Sequence, residues 1–160
     1  MVRQKLGGLK TTFFIVEQLP VPPPEAFEQF CPWDARTRFG GSINPRVLEL
    51  TYTAYDMVPF ARDLGDNGEP FRWDVERRAQ LRAELDACFF HLYGLNRADT
   101  EYVLGTFPIA NRKDPGLTAR ILKAYDALAA ATSSGQPFVS ELSPPLVMAP
   151  AMADQLSRLP

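Results

Sequence analysis

The chain has 160 residues, enough for one domain with a real core. Hydrophobic residues make up 46% and charged residues 22%, which argues against general disorder. The formal charge of −2 argues against a free-standing nucleic-acid binder, which would carry a basic face. No apolar run approaches the length of a membrane span. Two cysteines make no disulfide framework, and with no secretory signal before them a reduced, cytoplasmic chain is expected.

Residues 1–10, MVRQKLGGLK, hold a basic cluster of Arg3, Lys5 and Lys10 around Gly7-Gly8, a turn signal. TTFFIVEQL predicts a strand over 11–19. Pro20 to Pro24 stop it and form a stiff connector, a reading preferred over a polyproline ligand. One strand is not stable alone, so residues 2–6 form its hairpin partner or its sheet lies outside this chain. Glu25–Phe30 reads as a short helix and DARTRFGGSIN, 34–44, as a polar loop. Asn44 before Pro45 looks like an N-cap and predicts a helix from Pro45 to about Leu64, bent at Pro59. Its apolar side would be Val47, Leu48, Leu50, Thr51, Ala54, Met57, Val58 and Phe60. Glu49, Asp56 and Asp63, at seven-residue steps, read as a solvated stripe.

The stretch from Phe71 to Leu95 predicts the longest helix. Asp74 is its N-cap, Glu76 suits the positive end of the dipole, and Gly94 stops it. Leu81, Leu85, Cys88, Phe89 and Leu92 share one face, with Arg77, Arg78, Arg82, Glu84 and Asp86 mostly off it. Asn96 caps a further helix with Tyr102, Val103 and Phe107 inward, ended by Pro108. Residues 111–116 read as a polar loop. Leu117, Ile121, Tyr125, Leu128 and Ala129 fit a last amphipathic helix, followed by a Pro-rich tail, extended against the body or partly disordered. The predicted fold is mainly α, a cluster of four to five helices at 25–132. A short strand or hairpin and its connector at 1–24 precede it, and the tail at 133–160 follows.

No enzyme site emerges. His91 is the single histidine, no zinc-ligand spacing exists, and nucleophile-elbow, P-loop and dinucleotide motifs are absent, so no catalytic residue, cofactor or metal is assigned. His91 reads as a surface or supporting histidine, and Cys88 as a small buried thiol. Asn44-Pro45-Arg46 lacks the rest of an Asn-Pro-Pro-aromatic motif.

VRQKLGG, FFIVEQLPVPPP, RVLELTYTAYDMVPFARDLG, the run from Pro70 to Ile109, RKD and ILKAYDAL occur here in one order. Together they resemble the C-terminal region of large N6-adenine DNA methyltransferases of the type IIG restriction-modification and phage-defence kind. The block from Arg72 to Ile109 is the most specific part. The resemblance implies that the catalytic domain, with S-adenosylmethionine as its cofactor, lies outside this chain. It implies that the chain begins inside the end of a target-recognition domain, marked by Leu19-Pro20-Val21-Pro22-Pro23-Pro24. The expected role is non-catalytic bracing of that domain, with DNA a partner of the whole enzyme and the methyltransferase part joined in cis or in trans. Residues expected to meet DNA phosphates are Arg3, Gln4, Lys5 and Lys10. Asp114-Pro115-Gly116-Leu117 departs from the family by a deletion, and the tail after 135 matches only loosely. The alternative is a stand-alone helical adaptor of a defence complex with no DNA contact.

Overall fold

The computed structural model describes Glu17 and residues 19–147. The predicted strand at 11–19 falls almost wholly outside these residues, as do Arg3, Gln4, Lys5 and Lys10. The rest is mainly α, with one short antiparallel hairpin on the N-terminal side.

A 3-10 turn at Pro24–Glu28 leads into strands β1 (Phe30–Cys31) and β2 (Asp34–Arg38). Residues 34–38 therefore form a strand and not the expected loop. Asp34 shapes the turn by accepting from the Arg36 amide at 3.0 Å and the Thr37 hydroxyl at 2.7 Å. Helix α1 (Phe39–Thr51) follows without a linker.

The expected cap at Asn44 is corrected, because α1 starts at Phe39, six residues before Pro45, and holds Pro45 in its interior. Pro45 removes one helical hydrogen bond, a cost of about 3 kcal/mol in an ideal helix. Burial of Phe39, Ser42 and Ile43 in the preceding turns outweighs it. Phe39 meets the Trp33 ring edge-on at 5.3 Å, and its amide donates to Gln29 O at 2.9 Å.

The predicted helix to Leu64 is instead broken. After Tyr52 come an extended Ala54, a 3-10 turn at Tyr55–Met57 and helix α2 (Val58–Asp63), with Pro59 in its first turn. Thr51 and Ala54 are exposed rather than inward. The Tyr52 side chain fills the break: it is buried, packs against Phe71 and donates to Gly68 O at 3.1 Å. Glu49, Asp56 and Asp63 consequently share no face, and Glu49 is buried.

Helix α3 (Val75–Leu92) matches its predicted start and stop. Asp74 accepts from the Arg77 amide at 2.8 Å, and Gly94 adopts φ 67° just past the end. Leu81 and Cys88 are buried, while Leu85, Phe89 and Leu92 pack against the main core. Arg78 and Glu84 are also buried, against expectation. Helix α4 (Arg97–Gly105) is capped by Asn96, which accepts from the Asp99 amide at 2.9 Å. It buries Thr100 and Leu104, one turn apart. Tyr102 lies about 200° around the helix from Leu104, so it faces outward at 77% exposure, and Phe107 is also exposed.

Pro108 ends α4 and opens helix α5 (Pro108–Lys113), where a loop was expected over 111–116. Asn111 locks that turn, donating to Leu104 O at 3.0 Å and accepting from Thr118 at 2.8 Å. Helix α6 (Leu117–Ser134) buries Ile121, Tyr125 and Leu128 as predicted, and ends at Gly135 with φ 68°.

The core sits between α3 and α6, with α1 and the hairpin closing one side. Cys31, Trp33, Phe39, Ile43, Ala87, Cys88, Tyr125 and Leu128 form its centre. Small residues at Ala83, Ala87 and Cys88 let α3 approach its neighbours closely. A second cluster holds Tyr52, Ala61 and Phe71, and a third Ala83, Leu104, Ile121 and Leu122.

Candidate functional site: buried charges beneath a C-terminal strap

Chemistry-bearing side chains gather where α1 crosses α3, under the extended segment 136–147. Arg46 and Glu49 stand on α1, Arg77, Arg78 and Glu84 on α3. Arg46 donates to Glu84 at 2.8 Å, with side chains 14% and 4% exposed. Its Nη1 also reaches Ser42 O. The Ser140 hydroxyl donates to the Glu84 carboxylate at 2.8 Å, and the Phe138 ring lies 5.9 Å from the Arg46 guanidinium. Arg46 and Glu84 therefore satisfy each other.

A second pair joins Arg77 to Glu49, both mostly buried. Arg77 Nη2 continues to Leu142 O, and to Pro144 O at 3.2 Å. Main-chain bonds complete the strap: Phe138 N donates to Trp33 O at 3.1 Å and Arg72 N to Leu146 O at 2.9 Å, beside a bridge between Phe71 and Val147. Lys123 pairs with Glu141 at the exposed edge. The predicted tail is thus extended against the body as far as Val147.

Arg78 is arranged differently. Its Nη2 donates to Leu50 O at 2.9 Å, and the Trp73 ring stacks on its guanidinium at 3.7 Å. Its Nε and Nη1 are buried with no hydrogen-bond partner. Burial lowers its pKa from the usual arginine value, and the Arg82 charge acts in the same direction.

The thiols are poor nucleophiles. Burial pushes Cys31 up to about 11, and Cys88 is raised for the same reason, so both stay protonated near neutrality. Both are free, and Cys88 Sγ lies 3.8 Å from Ser42 Oγ. His91 is half-buried, in keeping with the supporting alternative of its expected role. It stacks on Tyr125 at 4.1 Å, meets Trp33 at 5.4 Å, and donates from Nε2 to Tyr125 O at 3.2 Å. Burial lowers its pKa. These contacts tie the hairpin turn, α3 and α6 together.

Two open grooves are present, and the first borders the cluster at Arg46. One, about 280 Å³, runs along Trp33, Thr37, Ser42, Arg46, Phe138 and Ser140. The other, about 200 Å³, is lined by Tyr52, Tyr55, Arg62, Asp66 and Glu69, with the Tyr55 hydroxyl donating to Glu69 at 2.7 Å. Among the described residues, no three His, Cys, Asp or Glu side chains converge as a metal-ligand set.

The buried charges were readable in part. Arg78, Leu81, Leu85, Cys88 and Leu92 continue one apolar stripe at three- and four-residue steps, so Arg78 stands on the inward face. Glu84 is three residues from Leu81 and four from Cys88, on the same face. Nothing in the sequence indicated which residues of the tail would meet them. No family model, curated protein or solved structure matches this chain.

Proposed function

We propose that the chain is a non-catalytic C-terminal module of a site-specific N6-adenine DNA methyltransferase of the restriction-modification or phage-defence kind. The observation that carries this reading is the run from Arg72 to Ile109, the most specific part of the resemblance. That run builds α3 and α4, and α3 is the helix on which the core is assembled, which suits a bracing role. S-adenosylmethionine and methyl transfer to a flipped adenine then belong to a catalytic part joined in cis or in trans, in the cytoplasm. DNA is a partner of that whole enzyme, with Arg3, Gln4, Lys5 and Lys10 as its phosphate contacts from this module.

The experiment measures DNA affinity of the assembled enzyme against salt, with and without Lys5→Ala. A slope reduced by about one is expected for one lost phosphate contact, and an unchanged slope counts against the DNA contact. Titration of the isolated chain with S-adenosylmethionine should be blank. Saturable binding would overturn the non-catalytic assignment.

A second reading is a helical adaptor of a defence complex with no DNA contact. Tyr102 on α4, Phe107 in the link that follows and Ile109 on α5 favour it, being large, apolar in body and exposed. Recovery of the methyltransferase part in a complex whose DNA affinity is the same with and without this chain would select it.

A further inference from the structure

A buried arginine with unused donors calls for an explanation, because buried polar groups are nearly always paired. Arg78 is only 9% exposed, and two of its three nitrogens have no partner. The nearest carboxylate charge, Glu49, is bonded to Arg77 in a two-point pair. Arg82, one turn further along α3, adds a second positive charge and forms no ion pair among the described residues. The Trp73 ring is part of the cover over Arg78. The Trp73 ring centre lies 3.7 Å from the guanidinium carbon yet Trp73 is 60% exposed, and it stands on irregular backbone between the Phe71 bridge and the Asp74 cap. Along this stretch Arg72, Trp73, Val75, Glu76 and Arg82 are exposed, and the exposed Asp86 lies one turn beyond Arg82, close enough for their charges to interact.

We propose that Arg78 is the floor of an oxyanion site, made for a phosphate group and closed by Trp73 when empty. Rotation of the indole off the guanidinium opens Nε and Nη1 to a phosphate oxygen. Arg82, one turn along α3, adds attraction from the solvent side. The Leu50 carbonyl holds the third nitrogen, so the guanidinium stays fixed while its cover moves. A charge-assisted bond to an ionised oxygen is roughly twice as strong as a neutral one, so the buried donors gain most from an anion. The phosphate can be a free ion or part of a nucleic-acid backbone. The site itself does not depend on the methyltransferase reading.

The test is calorimetric titration of the full chain with sodium phosphate, at ionic strength held constant with sodium chloride. One saturable site per chain is expected. Arg78→Gln should weaken it by about tenfold or more, the loss of one strong interaction. Trp73→Ala should bind at least as tightly as the wild type, because no cover has to be moved. Arg78→Lys serves if the glutamine variant fails to fold, and it should also bind more weakly, since one ammonium cannot replace the guanidinium fork. A short DNA duplex titrated in competition separates the sources: displacement of phosphate identifies the backbone, and no displacement identifies the free ion. No saturable heat from phosphate, or equal binding by the wild type and the Arg78 variants, overturns the site.

Discussion

Arg46 and Glu84 carry the clearest energetic consequence of any two residues. Their side chains are almost wholly buried, and each satisfies the other. Arg46→Ala leaves the Glu84 carboxylate buried with only Ser140 for company, which should cost about 3–5 kcal/mol. Replacing both by Arg46→Met and Glu84→Leu should recover most of that loss, since a well-packed apolar pair often matches a buried ion pair. Urea-unfolding midpoints of the single and double variants check this, and equal midpoints would contradict it. His91 supplies a pH dependence. Burial lowers its pKa below the ordinary 6.5, so between that value and its native pKa the unfolded chain binds a proton that the folded chain does not. Its contribution is therefore complete above about pH 6.5 and is lost as pH falls through the native pKa. Other groups also titrate there, so the wild type is to be compared with His91→Gln, in which the fall in unfolding free energy between about pH 7 and about pH 5 should be smaller.

The elements follow from local signals of unequal strength. Asp74 and Gly94 bound α3 where expected because a cap and a left-handed stop act within one turn. Asp74→Ala should cost about 1 kcal/mol, and Gly94→Ala about as much, since an alanine at φ 67° is strained. Thermal unfolding of the two variants measures both. Asn44 misled for the converse reason. Its cap-like setting before Pro45 competes with tertiary burial of Phe39 and Ile43, and burial wins. The break at Tyr52 was invisible because it depends on Phe71 and Gly68, far along the chain. Tyr102 misled because the inward face of α4 is set by Thr100 and Leu104, and short helices with few apolar residues leave that face ambiguous. The last helix was fully legible because Ile121, Tyr125 and Leu128 repeat over several turns.

At the scale of the molecule, α3 is the organising element: α6 and α1 pack on it, and the strap is fixed to it through Arg77 and Glu84. Leu128, 1% exposed at the centre of the main core, tests that arrangement. Leu128→Ala should cost about 2–5 kcal/mol, seen as a lower denaturation midpoint. The candidate site was less legible than the fold. The residues expected to meet DNA, Arg3, Gln4, Lys5 and Lys10, lie outside the described residues, and the buried charges of the site became visible only when 136–147 was seen lying over them. The proposed bracing role makes a direct demand on the proposed enzyme as a whole. Co-expression of the methyltransferase catalytic and recognition part with and without this chain, followed by a count of N6-methyladenine at the recognition site, tests it most directly. Methylation should be strong with the chain present, weak without it, and reduced by Leu128→Ala at temperatures that loosen the core. Equal methylation with and without the chain would contradict the account, as would methylation by the chain alone.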